Sequence, residues 1–438
     1  IAFAIDIIYK KICDVVESKN IYKNIYINKI NVSELNKSDA YDKIKQAIQD
    51  PIDKKIIIFK DIENNIDYRY SFKDFHAEYK IKEAVQKAYD YARNGIILKR
   101  YGQIVKLRDN PLKLSADYVF DNDFAKSKLS ELESKVYIKP TNATIRHQNG
   151  KFITVPGKDG RKLNLDATFL ALKKILEQKN SGIVDLSFER VQPFYTEKDF
   201  EIVHDILGTY TTHFDSSKKN QNRNVNIKNA AEKINNHVVY PSEIFSMNDM
   251  LKPFTEKNGY KNAPVIVGGK ITDDLGGGIC QVSTALYNAV LYSELKITER
   301  QNHSLKVGYA DYGYDATLAG DYIDLKFQNS TKAPILIESI IGSNSLTIKI
   351  YGAETRSNTR KIKFQNELVQ TISPPSDAII YTDELPDGQK QTVKAGKTGY
   401  RYKLYKIVYE NGQQTDKILI NSSYYKPVRG TVKIGTKK

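Results

Sequence analysis

The stretch 274-DLGGGICQVSTALYNAV-290 decides how the centre of this chain is read. Gly276, Gly277 and Gly278 lead through Ile279 into Cys280, one of only 2 cysteines in 438 residues. Val282, Leu286, Ala289 and Val290 then fall at helical spacing, so a helix begins at or just before the cysteine. Unpaired N–H groups and the helix dipole favour negative charge at such a terminus, and a thiol there ionises more easily than a free one. The glycines leave the turn bare, so a substrate carbonyl can approach and N–H groups can hold an oxyanion. This is the pattern of a cysteine nucleophile in acyl transfer. A packing cysteine behind a structural glycine loop is the competing reading.

A thiol nucleophile needs a base. His303, within 299-ERQNHSLKVGYADYGYDATLAGDYIDLKF-327, is the first candidate: it follows the helix and lies among polar residues. Asp315 is the first choice to orient its imidazole and Asp324 the second. His213 and His237 are weaker, His237 being equally suited to ending a helix. Arg300 offers a planar fork for a carboxylate. The expected catalytic set is Cys280, His303 and Asp315. The expected oxyanion and substrate contacts are Gly277, Gly278, Ile279, Gln281, Ser283, Arg300 and Tyr309.

The formal charge of +15 points to an acidic partner, such as an anionic wall polymer or membrane face. Lysine and arginine are dispersed, as in 361-KIKF-364, and no nucleic-acid-binding motif is present, so nucleic acid is not an expected partner. Two cysteines form neither a disulfide framework nor a four-thiol zinc site, and the 6 histidines lack paired-ligand spacing. No metal or organic cofactor is expected. The opening 1-IAFAIDIIY-9 is too short to span a bilayer and is interrupted by Asp6; it reads either as an ordinary helix or as the end of a membrane anchor.

Along the chain, 24-NIYINKINVS-33 alternates like a strand, and Ser38 is placed to cap a helix over 39–49 that ends before Pro51. The stretches 55-KIIIF-59 and 68-YRYSF-72 read as paired strands, and 80–95 as a helix. A related order follows: strands 143–147 and 151–155 around Gln148-Asn149-Gly150, then a helix over 166–178, which suggests a degenerate repeat. Thr196 and Asp199 form a capping pattern before an expected helix over 197–207, and another helix is expected over 226–237. Strands are expected over 322–329, 334–341 and 345–352. Beyond 357 no helical period remains, and 400–409 and 415–423 flank the hairpin signal Glu410-Asn411-Gly412. The fold class is α+β multidomain, closed by a small all-β domain.

The segments 223-RNVNIKNAAEKIN-235, 240-YPSEIFSMND-249, 259-GYKNAPVIVGG-269, 276-GGGICQVSTALYNAV-290, 300-RQNHS-304, 313-GYDATL-318 and 324-DLKFQNSTKAPI-335 together resemble a VanW domain. One departure is Pro241-Ser242-Glu243, where the family carries Pro-Gly-Glu. The segment 72-FKDFHAEYKIKEAVQKAYDYARNG-95 resembles the YoaR-like peptidoglycan-binding regions that precede VanW domains, and 412-GQQTDKILINSSYYKPVRGTVKIGTK-437 resembles a G-five domain. The implied organisation is a stalk or anchor end over 1–23, YoaR-like modules over 24–125 and 126–194, an α+β VanW catalytic domain over 195–355 and a G-five-like β domain over 356–438.

The resemblance implies a surface protein of a Gram-positive bacterium, at the outer face of the cytoplasmic membrane or in the cell wall, held by a membrane helix before residue 1. It implies peptidoglycan stem peptides and glycan as partners. It further implies an L,D-transpeptidase with Cys280 as nucleophile and His303 as base, forming 3-3 cross-links from tetrapeptide stems with release of D-Ala, and L,D-carboxypeptidase activity when water is the acceptor. The other classes compatible with these residues are a non-enzymatic wall-binding protein and a cysteine peptidase or amidase acting on wall peptides.

Overall fold

The computed structural model describes residues 2–267 and 270–437; Ile1 and Gly268-Gly269 of the quoted 259–269 segment lie outside the described residues. The chain forms two compact units, Ile1–Thr141 with Asp159–Gln192, and Asn142–Lys158 with Pro193–Lys438. Among the described residues no helix is long and apolar enough to cross a membrane.

The first unit is α+β. The stretch 24–33 is a tight hairpin, not one strand: Ile25–Ile27 pairs antiparallel with Ile30–Asn31, and Asn28 and Lys29 take φ of 48° and 66°. Two residues with positive φ give the turn whose twist matches a hairpin. The expected helix over 39–49 starts earlier, at Lys37, because Asn36 caps it by accepting the N–H of Asp39. It also runs past Gln49, since Pro51 sits in the first turn of the segment Asp50–Asp53, where a missing N–H costs nothing.

Strand Gly182–Asp185 lies parallel to Ile56–Asp61, whose other neighbour is Ile66–Ser71. The stretches read as two modules therefore share one sheet. Their helices share one core as well, in which Phe59, Phe72 and Phe75 meet Leu129, Leu132 and Leu172. A two-stranded hairpin alone cannot bury a face, which is why the halves interleave.

The second unit begins with the hairpin β1 (Thr144–Gln148) and β2 (Lys151–Val155). The capping box at Thr196 and Asp199 forms, but it opens only a single turn over Glu197–Phe200; residues 201–204 continue as a turn, and the end of the expected helix is already strand β3 (Asp205–His213). The correction has a tertiary cause: β3 pairs along its length with a later strand, outweighing local helix preference. Next come α1 (Gln221–Ile234), β4 (His237–Val239), β5 (Ile244–Ser246), α2 (Met247–Leu251), β6 (Asn262–Val267), β7 (Lys270–Leu275) and α3 (Ile279–Tyr292). They are followed by β8 (Lys296–Glu299), β9 (Lys326–Gln328), β10 (Ile335–Ile341) and β11 (Ser345–Gly352). The strand expected over 322–329 shrinks to β9.

A four-stranded antiparallel sheet, β3-β11-β10-β4, backs α3, and a smaller sheet, β5-β9-β8, stands beside it. Helix α3 is buried on almost every side, with Val282, Ala285, Leu286, Ala289 and Val290 inside the main core. Each buried Leu or Val contributes about 1.5–3 kcal/mol, so the helix that starts at the cysteine is among the best-anchored elements.

The last part is all β: β12 (Lys361–Ile372), β13 (Ala378–Pro386), β14 (Lys390–Lys394), β15 (Gly399–Glu410), β16 (Gln413–Tyr425) and β17 (Thr431–Lys437). They form the sheets β12-β15-β16 and β13-β17-β14. Asn411 and Gly412, at φ 52° and 83°, make the hairpin turn read from the sequence. The first sheet packs on the α3 region. Leu404 enters the main core, and Tyr402 stacks on Tyr312 with centroids 4.2 Å apart.

Candidate active site

The glycine turn is built to fit protein, not to stay bare. A Cβ at Gly277 would lie 2.4 Å from the carbonyl oxygen of Ala263 on β6. The carbonyl of Gly277 accepts from Asn226 Nδ2 at 2.9 Å, and the same amide, fully buried on α1, also bonds both backbone groups of Lys261. Gly278, the residue before α3, has φ +110°, and a Cβ there would meet Arg223 Cγ at 2.8 Å. Both glycines thus hold the entry to α3 in one position.

Cys280, the second residue of α3, is partly buried. Its Sγ accepts the N–H of Leu318 at 3.4 Å and lies 3.7 Å from Thr317 Oγ1. Burial pushes the thiol up, but the adjacent His303 imidazole, the Leu318 N–H and Thr317 outweigh it, and the thiol ionises below its usual range.

His303 is buried, and its Nδ1 donates to Asp315 Oδ2 at 2.7 Å, the same oxygen that takes its backbone N–H at 2.7 Å. A carboxylate only accepts, so Nε2 is left for the thiol and for Tyr309 Oη at 3.3 Å. Burial alone would lower the imidazole, yet Asp315 and Cys280 together raise it to about 9. Asp315 is itself buried. Burial favours its neutral form, but His303, Arg300 and Tyr425 hold it below the usual carboxylate range. A thiol beside an imidazole that a buried carboxylate orients is an arrangement that can activate a cysteine and deliver a proton to a leaving group.

The other expected residues divide. Tyr309 is in the site; burial and the neighbouring thiolate raise its phenol well above the usual range, so it stays a donor. Gln281 is buried behind the site, bonding Thr212 Oγ1 at 3.0 Å and the carbonyl of His213 at 2.7 Å. Ile279 points into the core, and Ser283 is buried with no hydrogen-bond partner for its hydroxyl among the described residues.

Arg300 holds a carboxylate, but it is the protein's own. Its fork is committed to Asp315, the carbonyls of Asp315 and Gly313, and Ser423, so it is not free for substrate. Asp324, the second choice for the third residue, instead accepts from Ser246 at 2.6 Å and from the Asn248 N–H at 3.0 Å, capping α2. His237 lies in β4 against Phe245, and His213 is exposed at the end of β3.

Further contributors were not expected. The Thr317 hydroxyl and the Leu318 N–H meet the sulfur, Tyr425 reaches Asp315 from β16, and Arg223 lies over Gly278. Only Arg223 left a trace in the sequence. A cation in the first turn of a helix opposes the dipole, which suggests another reason for its presence.

Fold and site together define a multidomain α+β protein organised round a cysteine–histidine–aspartate cluster, to which its last β domain contributes a tyrosine. Three family models match the chain: "VanW like protein" over residues 222–351, "Putative peptidoglycan binding domain" over 68–185 and "G5 domain" over 365–437. The "Uncharacterized protein YoaR" of Bacillus subtilis (strain 168) is 34% identical over 263 residues, covering 59% of this chain and 84% of that protein. The "Vancomycin B-type resistance protein VanW" of Enterococcus faecalis (strain ATCC 700802 / V583) is 32% identical over 147 residues, covering 31% of this chain and 53% of that protein. Two solved structures match a part of the chain. "IgA1 Protease G5 domain structure" is 21% identical with TM-score 0.14, covering 18% of this chain and 96% of that one. "Crystal structure of HP0197-G5" is 18% identical with TM-score 0.13, covering 17% and 97%. The chain belongs to the VanW-like family, with a peptidoglycan-binding region before the VanW domain and a G5 domain after it.

Proposed function

We propose that this protein is a peptidoglycan L,D-transpeptidase acting in the cell wall at the outer face of the cytoplasmic membrane of a Gram-positive bacterium. The observation that carries the reading is the Cys280–His303–Asp315 line, with the thiol pulled down and the imidazole pushed up by one another. The Cys280 thiolate attacks the carbonyl of the third stem residue. The N–H groups of Gly278 and Cys280, which have no acceptor among the described residues, are the candidates to hold the oxyanion. The intermediate collapses, the C–N bond to terminal D-Ala breaks, and His303 gives its proton to the departing amine. The thioester then meets the side-chain amine of a neighbouring stem, whose proton returns to His303 as the 3-3 cross-link forms and the thiolate is released. Water in place of the amine gives carboxypeptidation.

The match to a peptidoglycan-binding model supports wall substrate, and the net charge of +15 favours an anionic polymer. The test uses purified protein and defined tetrapeptide muropeptides, wild type beside Cys280→Ala, with products read by mass spectrometry. Loss of D-Ala with new dimers in the wild type alone is expected. An inert wild type that still binds muropeptides would instead make this a wall-binding protein, and cleavage elsewhere in the stem would make it a peptidase or amidase.

A further inference from the structure

Arg223 is a cation without a counterion. Its Nη2 donates to Gln281 Oε1 at 2.6 Å, and that is its only hydrogen bond among the described residues. Other guanidinium groups with comparable burial are satisfied: Arg161, Arg300 and Arg360 by the carboxylates of Asp61, Asp315 and Glu294, Arg93 by three backbone carbonyls and Arg100 by two. Arg223 has no carboxylate within ion-pair reach among the described residues. A half-buried charge left unpaired is costly, and the fold nevertheless holds it there. Gln281, the neutral acceptor that fixes it, is itself pinned by Thr212 and His213.

Its location is specific. The aliphatic stem crosses Gly278 at the turn before Cys280, and the guanidinium stands 5.8 Å from the Tyr309 ring centroid. Burial lowers its pKa from the usual value, partly offset by Tyr309 and by the charge on Cys280, and a guanidinium so lowered is still protonated near neutral pH. The rest of the fork has no hydrogen bond among the described residues and lies near the nucleophile, whose charge acts on it.

We propose that Arg223 binds the free C-terminal carboxylate of the donor peptide, the one carried by the residue that leaves. This rests on the acyl-transfer reading of Cys280. In that reaction the carboxylate lies one residue beyond the scissile carbonyl, and a guanidinium beside the thiol can take it in a bidentate, charge-assisted pair. The pairing supplies the missing counterion and makes the site selective for peptide ends. An internal peptide bond, or a stem whose terminus is amidated, brings no charge to Arg223 and leaves it desolvated.

The experiment compares the full chain acting on a tetrapeptide muropeptide with a free C-terminus and on the same peptide as its C-terminal amide. The wild type is expected to favour the acid by roughly 100-fold in kcat/KM, and Arg223→Gln to reduce that ratio to near one while Arg223→Lys keeps part of it. Equal turnover of acid and amide by the wild type would overturn the assignment without recourse to any variant. An unchanged ratio in Arg223→Gln would overturn it too, placing the residue with the thiolate. If neither peptide loses its last residue, the acyl-transfer reading has failed, and the carboxylate site is decided by calorimetry on Cys280→Ala. Tighter binding of the acid than of the amide, lost on adding Arg223→Gln, upholds the site; equal affinities overturn it.

Discussion

Tyr425 Oη donates to Asp315 Oδ1 at 2.5 Å, across 110 residues of sequence and from the G5 domain into the VanW domain. The contact is one of a group at the end of β16. Ser423 meets Arg300, Asn421 meets Tyr287 and the carbonyl of Gly313, and the Tyr425 oxygen also accepts the Gly313 N–H. The β domain therefore does more than extend the protein; it completes the hydrogen bonding of the carboxylate behind His303.

Tyr425→Phe removes one donor from a buried carboxylate. The cost in stability is expected to be about 1–3 kcal/mol, and turnover is expected to fall by about 10- to 100-fold, as for other outer-shell partners. A purely structural role would leave the pH profile of kcat/KM in place. A positioning role shifts it, because Asp315 sets the imidazole of His303, so the profile is the measurement that decides.

Asp315→Asn preserves shape but replaces an acceptor with an amide that can present N–H to His303 Nδ1. The imidazole then loses its tautomer, and turnover is expected to drop by about 10³-fold or more. His303→Ala is expected to cost at least about 10²-fold. Steady-state rates on tetrapeptide substrate check both, and turnover unchanged in either would remove that residue from the mechanism.

What the sequence reveals here follows physical range. The start of α3 at Ile279 and the turns at 149–150 and 411–412 are visible because spacing and turn chemistry act locally. The pairing of His303 with Asp315 is within reach because only 12 residues separate them. The strand at 205–213 is hidden because its partner, β11, lies more than a hundred residues downstream, and the local capping box argues for helix. Tyr425 carries no signal at all, since one tyrosine among 30 is singled out only by the packing of β16 on Gly313. In sequence the glycine run reads as room for substrate. The room is filled by Ala263 and Arg223, a distinction that requires neighbours and not composition.

Thiol chemistry gives a pH prediction. The reactive pair is thiolate with imidazolium, so it forms as pH rises through the lowered thiol pKa and disappears as His303 deprotonates near 9. Alkylation of Cys280 by iodoacetamide is expected to begin below the usual thiol range. In His303→Ala the opposing influence is gone, burial dominates, and the onset is expected to move to higher pH. Identical onsets in wild type and variant would show that His303 does not act on the sulfur.

Glu294, at the end of the loop after α3, joins the two domains through Arg360 at 2.8 Å and Lys406 at 2.7 Å. Burial would raise its carboxyl, but these cations hold it down to about 2 against an ordinary 4.5. A depressed carboxyl contributes stability that is fully present above the unfolded value and is lost as pH falls from about 4.5 through about 2. With the side chain 12% exposed, the contribution is at most on the order of 3 kcal/mol. Glu294→Gln is expected to lower the unfolding midpoint at pH 7 and to narrow the gap between midpoints at pH 7 and pH 3. Because the G5 domain carries Tyr425, the same variant is expected to loosen the site and to reduce turnover at temperatures where the protein remains folded. Calorimetric scans at the two pH values, run beside activity assays, check both effects, and equal pH sensitivity in wild type and variant would show that the cluster does not govern acid stability.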